Sequence, residues 1–274
     1  MSLFVIDQEK CKHDGICAAE CPVKLIEMKD KESVPTPVTN AEEFCINCGH
    51  CVAVCPHEAF SLKTMTPEQC RPVKKDLLLN QEQVEQFLCS RRSVRVYKDK
   101  PVEREIITKL IDIAKYAPSG HNSQPVEWLV VYDSSEVRRM TGLVVDWMRH
   151  TIKEQPDFAA ALRMDRIVDF WESGIDSICR KAPHLIVVHG AKENVAAPPA
   201  ANIAVSHLEL AIHSFGLGGC WAGYFNAAAI FWPPLKKALE HPEGHVSLGA
   251  MMIGHPIYKY HRIPLRNDAK VTWK

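Results

Sequence analysis

The chain has 274 residues, balances Lys+Arg and Asp+Glu at 33 each, and is 46% hydrophobic; this suits one large globular domain or a small module joined to a medium one. The charge balance excludes the basic footprint of a nucleic-acid binder. No apolar run reaches the roughly 20 residues of a spanning helix, so membrane insertion is not expected. The first residues, Met1–Asp7, lack the basic start and apolar core of a secretory signal. The expected location is therefore cytoplasmic, with the 11 cysteines held as thiols or metal ligands rather than disulfides.

Two compositional regimes follow in chain order. Residues 1–70 hold clustered cysteines, a Pro-containing stretch at Val34–Pro37 and too few large apolar residues for a good core, so this module is expected to need bound metal to fold. Within it, Cys45-Ile-Asn-Cys48-Gly-His-Cys51-Val-Ala-Val-Cys55-Pro56 reads C-x2-C-x2-C-x3-C-P. Three thiolates on one tight loop grip three iron corners of a cluster, and the fourth points away toward a second. Zinc ribbons instead use two separated C-x2-C knuckles, and plain buried cysteines need no spacing at all. The earlier stretch Cys11-Lys-His-Asp14-Gly-Ile-Cys17-Ala-Ala-Glu-Cys21-Pro22 repeats the pattern with Asp14 at its second place.

The pair of motifs resembles bacterial-type two-cluster ferredoxins. That resemblance implies one [4Fe–4S] cluster on Cys45, Cys48, Cys51 and Cys21, and a second on Cys11, Cys17 and Cys55 with its fourth corner left to Asp14. A carboxylate is a harder and weaker ligand than a thiolate, so the second cluster is expected as [4Fe–4S] with Asp14 bound or as [3Fe–4S]. The alternative leaves Asp14 in solvent and folds Cys70 back as the fourth ligand. His50 and His57 flank cluster ligands.

Residues 71–80 read as a linker, and 81–274 as a second domain of helices and strands. Arg91-Arg92-Ser93-Val94-Arg95 precedes a helical stripe over Val102–Ala117 that stops at Pro118. Arginine forks and a hydroxyl before a helix suit an anion, although such charge runs also occur as solvated surface. Pro118-Ser-Gly-His-Asn-Ser-Gln-Pro125 then packs amides and hydroxyls between two prolines, as an ordinary helix-to-strand turn or as a polar cradle whose donors and acceptors need partners. Trp128–Tyr132 is a strand candidate, and Ser134 or Ser135 is placed to cap the next helix. Leu185–His189 and Leu248–Ile253 read as buried strands, and Ala200–Phe215 as an apolar helix buried on most sides. Gly216-Leu-Gly218 follows a helix rather than a strand, so it is no dinucleotide fingerprint. His207 and His213 lie on the apolar helix and read as structural groups.

Together these segments resemble the FMN-dependent nitroreductase family: the Arg-x-Ser-x-Arg motif, the Pro-Ser-x-x-Asn-x-Gln-Pro loop, the glycine-rich turn ending Ala222-Gly223, and Ile253-Gly-His-Pro256 before a basic tail. The resemblance implies an α+β fold, with a central, mainly antiparallel sheet flanked by helices, preceded by the small ferredoxin-like iron–sulfur domain. It also implies that Arg91, Arg92, Ser93 and Arg262 contact the FMN phosphate and ribityl chain, with Arg95 nearby. Pro118, Ser119, Gly120 and Gln124 shape the ring's cradle, Asn122 hydrogen-bonds the ring, and the Ala222-Gly223 backbone approaches its reactive edge. Where many relatives carry a second basic residue before the Arg262 position, this chain has Tyr260, with Lys259 as a substitute.

The expected activity is that of an oxidoreductase taking electrons from a low-potential donor through two clusters to FMN and on to an electron-poor organic oxidant such as a nitroaromatic or quinone. The alternatives are an NAD(P)H-dependent nitroreductase with accessory clusters, or an electron-transfer or redox-sensing flavoprotein without turnover. FMN carries the chemistry in each case, with His121 the one side-chain acid–base candidate. Residues 143–180, with Trp147, Met148, Phe158, Met164, Phe170 and Trp171, read as a helical cap over the flavin or as ordinary packing. Relatives of this kind form homodimers, and the same assembly is expected here.

Overall fold

The structure is a computed structural model that describes residues 2–274. It divides into two compact units. One runs to Leu79 and takes in His121–Ser123; the other comprises Asn80–Gly120 and Gln124–Lys274.

The first unit is a pair of short ribbons around two cysteine loops. Strand β1 (Phe4–Ile6) leads to α1 (Ile16–Glu20), β2 (Ile26–Glu27), β3 (Thr36–Pro37), α2 (Ala41–Phe44), α3 (His50–Val54) and β4 (Phe60–Leu62). β1 pairs antiparallel with β4, and β2 with β3, and each cysteine motif contains a short helix, α1 or α3. Gly15 and Gly49, one position before α1 and α3, both sit at positive φ (70° and 73°), which a side chain resists. The two motifs thus share one backbone path, the local counterpart of their shared spacing.

The second unit begins with α4 (Gln81–Ser90) and α5 (Arg104–Ala114). Strand β5 (Glu127–Val131) follows, then α6 (Ser134–Glu154), α7 (Pro156–Ala161), α8 (Met164–Glu172) and β6 (His184–Ala191). The chain closes with α9 (Ala197–Ser214), β7 (Gly218–Trp221), α10 (Gly223–Phe231), α11 (Pro233–Leu239) and β8 (His245–Gly254). Its sheet has the order β5-β6-β8-β7 with every neighbour antiparallel, an α+β arrangement. Strand β6 is covered on both faces. Leu185 and Val187 pack into the core with α6 and α10, while Ile186 and Val188 pack with α5 and α9, which accounts for its unbroken apolar run.

Two expectations are corrected here, and one pair of alternatives is separated. Helix α6 is capped by Asp133, whose Oδ1 accepts from the Ser135 amide at 2.8 Å, because Asp133 is the residue just before the first turn and Ser134 and Ser135 already lie inside the helix. Helix α9 is buried along one stripe, through Ala201, Val205, Leu208 and Ile212, whereas Asn202, Ile203 and Ser206 are exposed. Alanine-rich sequence reads as apolar all round, but only the i, i+4, i+7, i+11 face meets the sheet. From the 143–180 segment, Trp147, Met148 and Met164 are buried in the core rather than presented as a cap. Trp171 lies half-buried under the Arg138 guanidinium.

Candidate functional site

The cysteine loops of the first unit create two separate hollows. One is lined by Cys11, Asp14, Cys17 and Cys55, with His57 and Phe60 at its walls. The other is lined by Cys21, Cys45, Cys48 and Cys51, with Phe60 and Leu62 beneath. Each motif thus contributes three positions to one hollow and its last cysteine to the other. The two crossing cysteines are held alike: the Leu25 amide donates to Cys21 Sγ at 3.3 Å, and the Ala59 amide to Cys55 Sγ at 3.4 Å. Asp14 Oδ1 accepts from the Ile16 amide at 3.1 Å, which fixes the carboxylate at the mouth of α1. Cys70 packs against the same core and is not among the residues lining the Asp14 hollow.

The chemistry of this donor set suits a soft, multinuclear metal centre. All 11 cysteines are free thiols, and those of the two motifs sit in two groups. Burial pushes the Cys51 thiol up to about 12 and raises Cys17 as well. Bare thiols so placed stay protonated, and it takes bound cations to hold them as thiolates.

In the second unit the segment after α4 lies against the edge strand. The Val94 amide donates to the Gly219 carbonyl at 2.9 Å, and the Ile257 amide to the Val96 carbonyl at 3.2 Å. A Cβ on Gly218 would stand 2.6 Å from Val94 Cβ, so glycine there is what allows the segment to close on the strand. Arg91 Nη1 pairs with Glu209 Oε1 at 2.9 Å, and Trp221 Nε1 donates to the other carboxylate oxygen at 3.3 Å. Arg92 donates through Nη1 to the Arg91 carbonyl, but its Nε and Nη2 are buried without a partner. An orphaned guanidinium edge is expensive unless an anion completes it.

Arg95 lines a cavity of about 390 Å³ together with Ser177, Arg180, Cys220, Gly223 and Tyr224. Ser177 Oγ is likewise buried and unpaired. Burial raises the Cys220 thiol, while Arg95 and Arg180 pull it back. A Cβ on Gly223 would meet no atom within 4 Å, so the backbone there is open to a ligand.

The Pro118–Pro125 loop carries three non-glycine residues at positive φ, His121 and Asn122 at 52° and Gln124 at 44°. Such a run is strained backbone of the kind found at ligand clamps. The Gln124 amide donates to Ser119 Oγ at 3.0 Å, closing the loop on itself. In the first unit, the Asn122 side-chain amide donates to the Asn47 carbonyl at 2.9 Å. Arg262 lies in the exposed, irregular tail that follows β8, and is not among the cavity's lining residues. His213, read as a structural group, has its Nε2 3.1 Å from Ser90 Oγ with the Phe87 ring beside it.

Arg180, Ser177 and Glu209 were not singled out by sequence. They come from the loop before β6 and from α9, and nothing in their local sequence marks them.

Residues 88–255 match the model of the nitroreductase family, more than half of the chain, and residues 10–59 match that of the 4Fe-4S dicluster domain. The FMN reductase [NAD(P)H] of Bacillus subtilis is 26% identical over 62% of this chain and 64% of its own length. Iodotyrosine deiodinase 1 of Rattus norvegicus is 24% identical over 73% of this chain and 69% of its own. Among solved structures, a nitroreductase of Desulfitobacterium hafniense with bound FMN superposes with a TM-score of 0.57 at 23% identity, covering 72% of this chain and 99% of that one. That likeness shows the fold.

Proposed function

The chain belongs to the nitroreductase family, and on that premise we propose that it is an FMN-dependent oxidoreductase. In this reading, electrons from a low-potential donor pass through two iron–sulfur clusters to FMN and on to an electron-poor organic substrate. The observation that carries the reading is the sorting of the two cysteine motifs into two hollows, each with four ligand positions. A single structural metal would need one such set; two, crossed between motifs, suit single-electron transfer. Bound FMN supplies a centre that accepts electrons singly or as hydride and gives them up in pairs.

The chain's own residues then bind, orient and shield. Arg92, with two unpaired N–H groups, is the strongest anchor for the phosphate, assisted by Ser93, Arg91 and Arg95. Glu209 holds Arg91 in place as a positioning residue. Pro118, Ser119, Gly120, Asn122 and Gln124 would form the cradle for the ring, and the open backbone at Gly223, after the buried Ala222, would let it approach closely. Arg262 reaches the phosphate only if the tail folds back, in its own subunit or in a second copy. Exposed apolar residues on α9 (Ile203), α10 (Phe231) and the tail (Leu265, Trp273) support a homodimer. Asp14 completes the Cys11, Cys17 and Cys55 set as a carboxylate ligand, and Asp14→Cys is expected to change the EPR spectrum of that cluster alone.

A second reading, with NAD(P)H as donor, is favoured by the relative described as an FMN reductase [NAD(P)H]. Anaerobic titration separates the two, using NADH, NADPH and reduced ferredoxin in turn and following flavin and cluster absorbance. Rapid flavin reduction by ferredoxin alone supports the cluster route. Immediate reduction by a nicotinamide, with the clusters lagging, supports the second reading.

A further inference from the structure

At the end of the second unit's sheet, three strands bring metal-ligating side chains to one place. Glu127 opens β5 and lies directly across from His189 on β6. His189 in turn faces Ser247 on β8, after a register shift between Val188 and His189, and His245 stands two residues before Ser247. Side chains alternate along a strand and directly opposed residues share a face, so Glu127, His189 and His245 all project from the same side of the sheet.

The resulting distances are short. His189 Nδ1 lies 3.0 Å from His245 Nδ1, the two nitrogens placed to share an ion, while Glu127 Oε1 lies 4.0 Å from the other ring nitrogen of His245, Nε2, and has to turn toward the Nδ1 pair. One donor atom from each of the three falls within 4.8 Å of the others. The His241 ring packs 4.3 Å from the His189 ring, and its Nε2 is 2.9 Å from Ser247 Oγ, so His241 braces His189 from behind.

We propose that Glu127, His189 and His245 form a binding site for one divalent transition-metal ion of the zinc type, separate from the iron–sulfur and flavin sites. The donor set is two imidazoles and a carboxylate, which zinc accepts at about 2.0–2.2 Å per ligand. Two nitrogens on one tetrahedral zinc stand about 3.3 Å apart at such bond lengths. The His189–His245 pair therefore needs to open by only a few tenths of an ångström. His189 is buried and pre-oriented, whereas the Glu127 side chain is exposed and free to swing in as the last ligand, leaving an open position for water. The alternative arrangement of the same atoms is a hydrogen bond between two histidines with Glu127 beside them, and it binds no ion. The proposal does not depend on the flavin reading, since none of the three residues belongs to that site.

The test is equilibrium dialysis of the cluster- and flavin-loaded protein against zinc alone, under anaerobic conditions, followed by elemental analysis and zinc-edge X-ray absorption. We expect one zinc per chain in addition to the iron, with a first shell of nitrogen and oxygen and no sulfur. His245→Gln and Glu127→Gln each weaken zinc binding by about 100-fold while iron and flavin content stay at wild-type levels. Zinc also raises the thermal midpoint of the wild type and not of either variant. No zinc beyond the iron, a sulfur shell from the cysteines, or undiminished zinc in both variants would overturn the proposal.

Discussion

In the cysteine-rich unit, three of the ten residues in the buried cluster are cysteines, and the largest apolar groups are two phenylalanines whose rings meet at a tilt, 4.6 Å between centroids. In the sheet unit, β6 and β8 together separate two apolar clusters of 25 and 14 buried residues. One unit gathers its interior around two cysteine-lined hollows, the other around a sheet packed on both faces. A core that small does not sustain a fold unaided, so in the first unit metal binding and folding are expected to be coupled, while the second is expected to fold without its ligand.

The largest predicted effect follows from that contrast. Removing iron with a chelator under reducing conditions is expected to abolish amide-exchange protection across residues 3–62 and leave β6 and β8 protected. Equal protection of both units in iron-free protein would break the comparison.

Next comes Arg92→Ala, on the other side of it. Loss of two charge-assisted hydrogen bonds, about 1.5–3 kcal/mol each, weakens flavin binding by roughly 100-fold or more, read by fluorescence titration. Because the apo protein leaves those N–H groups unpaired, the variant is expected to melt no lower than wild type when flavin-free. A clear fall in stability with flavin binding intact would mean that the arginine serves packing alone.

A smaller effect is pH-dependent. His184 accepts from the Val102 amide through Nε2 at 2.8 Å, so its proton sits on Nδ1, 2.6 Å from the Tyr132 carbonyl. Burial lowers its pKa below the usual 6.5, and protonation would set an N–H against the Val102 amide. The unfolded chain then binds the proton more readily, so this contribution is full above about pH 6.5 and is lost as pH falls below it. His184→Gln is expected to flatten that part of the melting-versus-pH curve. The smallest effect is Asp133→Ala, which removes the α6 cap and costs about 1 kcal/mol in a denaturant titration.

The same contrast governs how much could be read in advance. The grouping of the cysteines was legible because a loop of a dozen residues carries its own geometry: Cys45, Cys48 and Cys51 line one hollow and Cys55 the other. The strands β6 and β8 were legible as apolar runs bounded by proline or glycine. Burial on one face of α9 was not, since alanines satisfy a buried or an exposed position equally. Nor were the partners of the anion segment. Glu209 lies 118 residues from Arg91, and only the pairing of that segment with the edge strand brings them together. The histidine cluster is harder still, because it depends on the registers of three strands and on one shift between them.

The central claim is that the cluster unit feeds the flavin. The most direct test is stopped-flow reduction of bound flavin by a reduced ferredoxin, comparing the wild type with Cys48→Ser, which loses a ligand from one hollow and leaves the sheet unit untouched. The account predicts that flavin reduction by ferredoxin collapses in the variant, with flavin content and reduction by dithionite unchanged. Equal rates in the two proteins would contradict it, and would leave the clusters as structural staples beside an independent flavoenzyme.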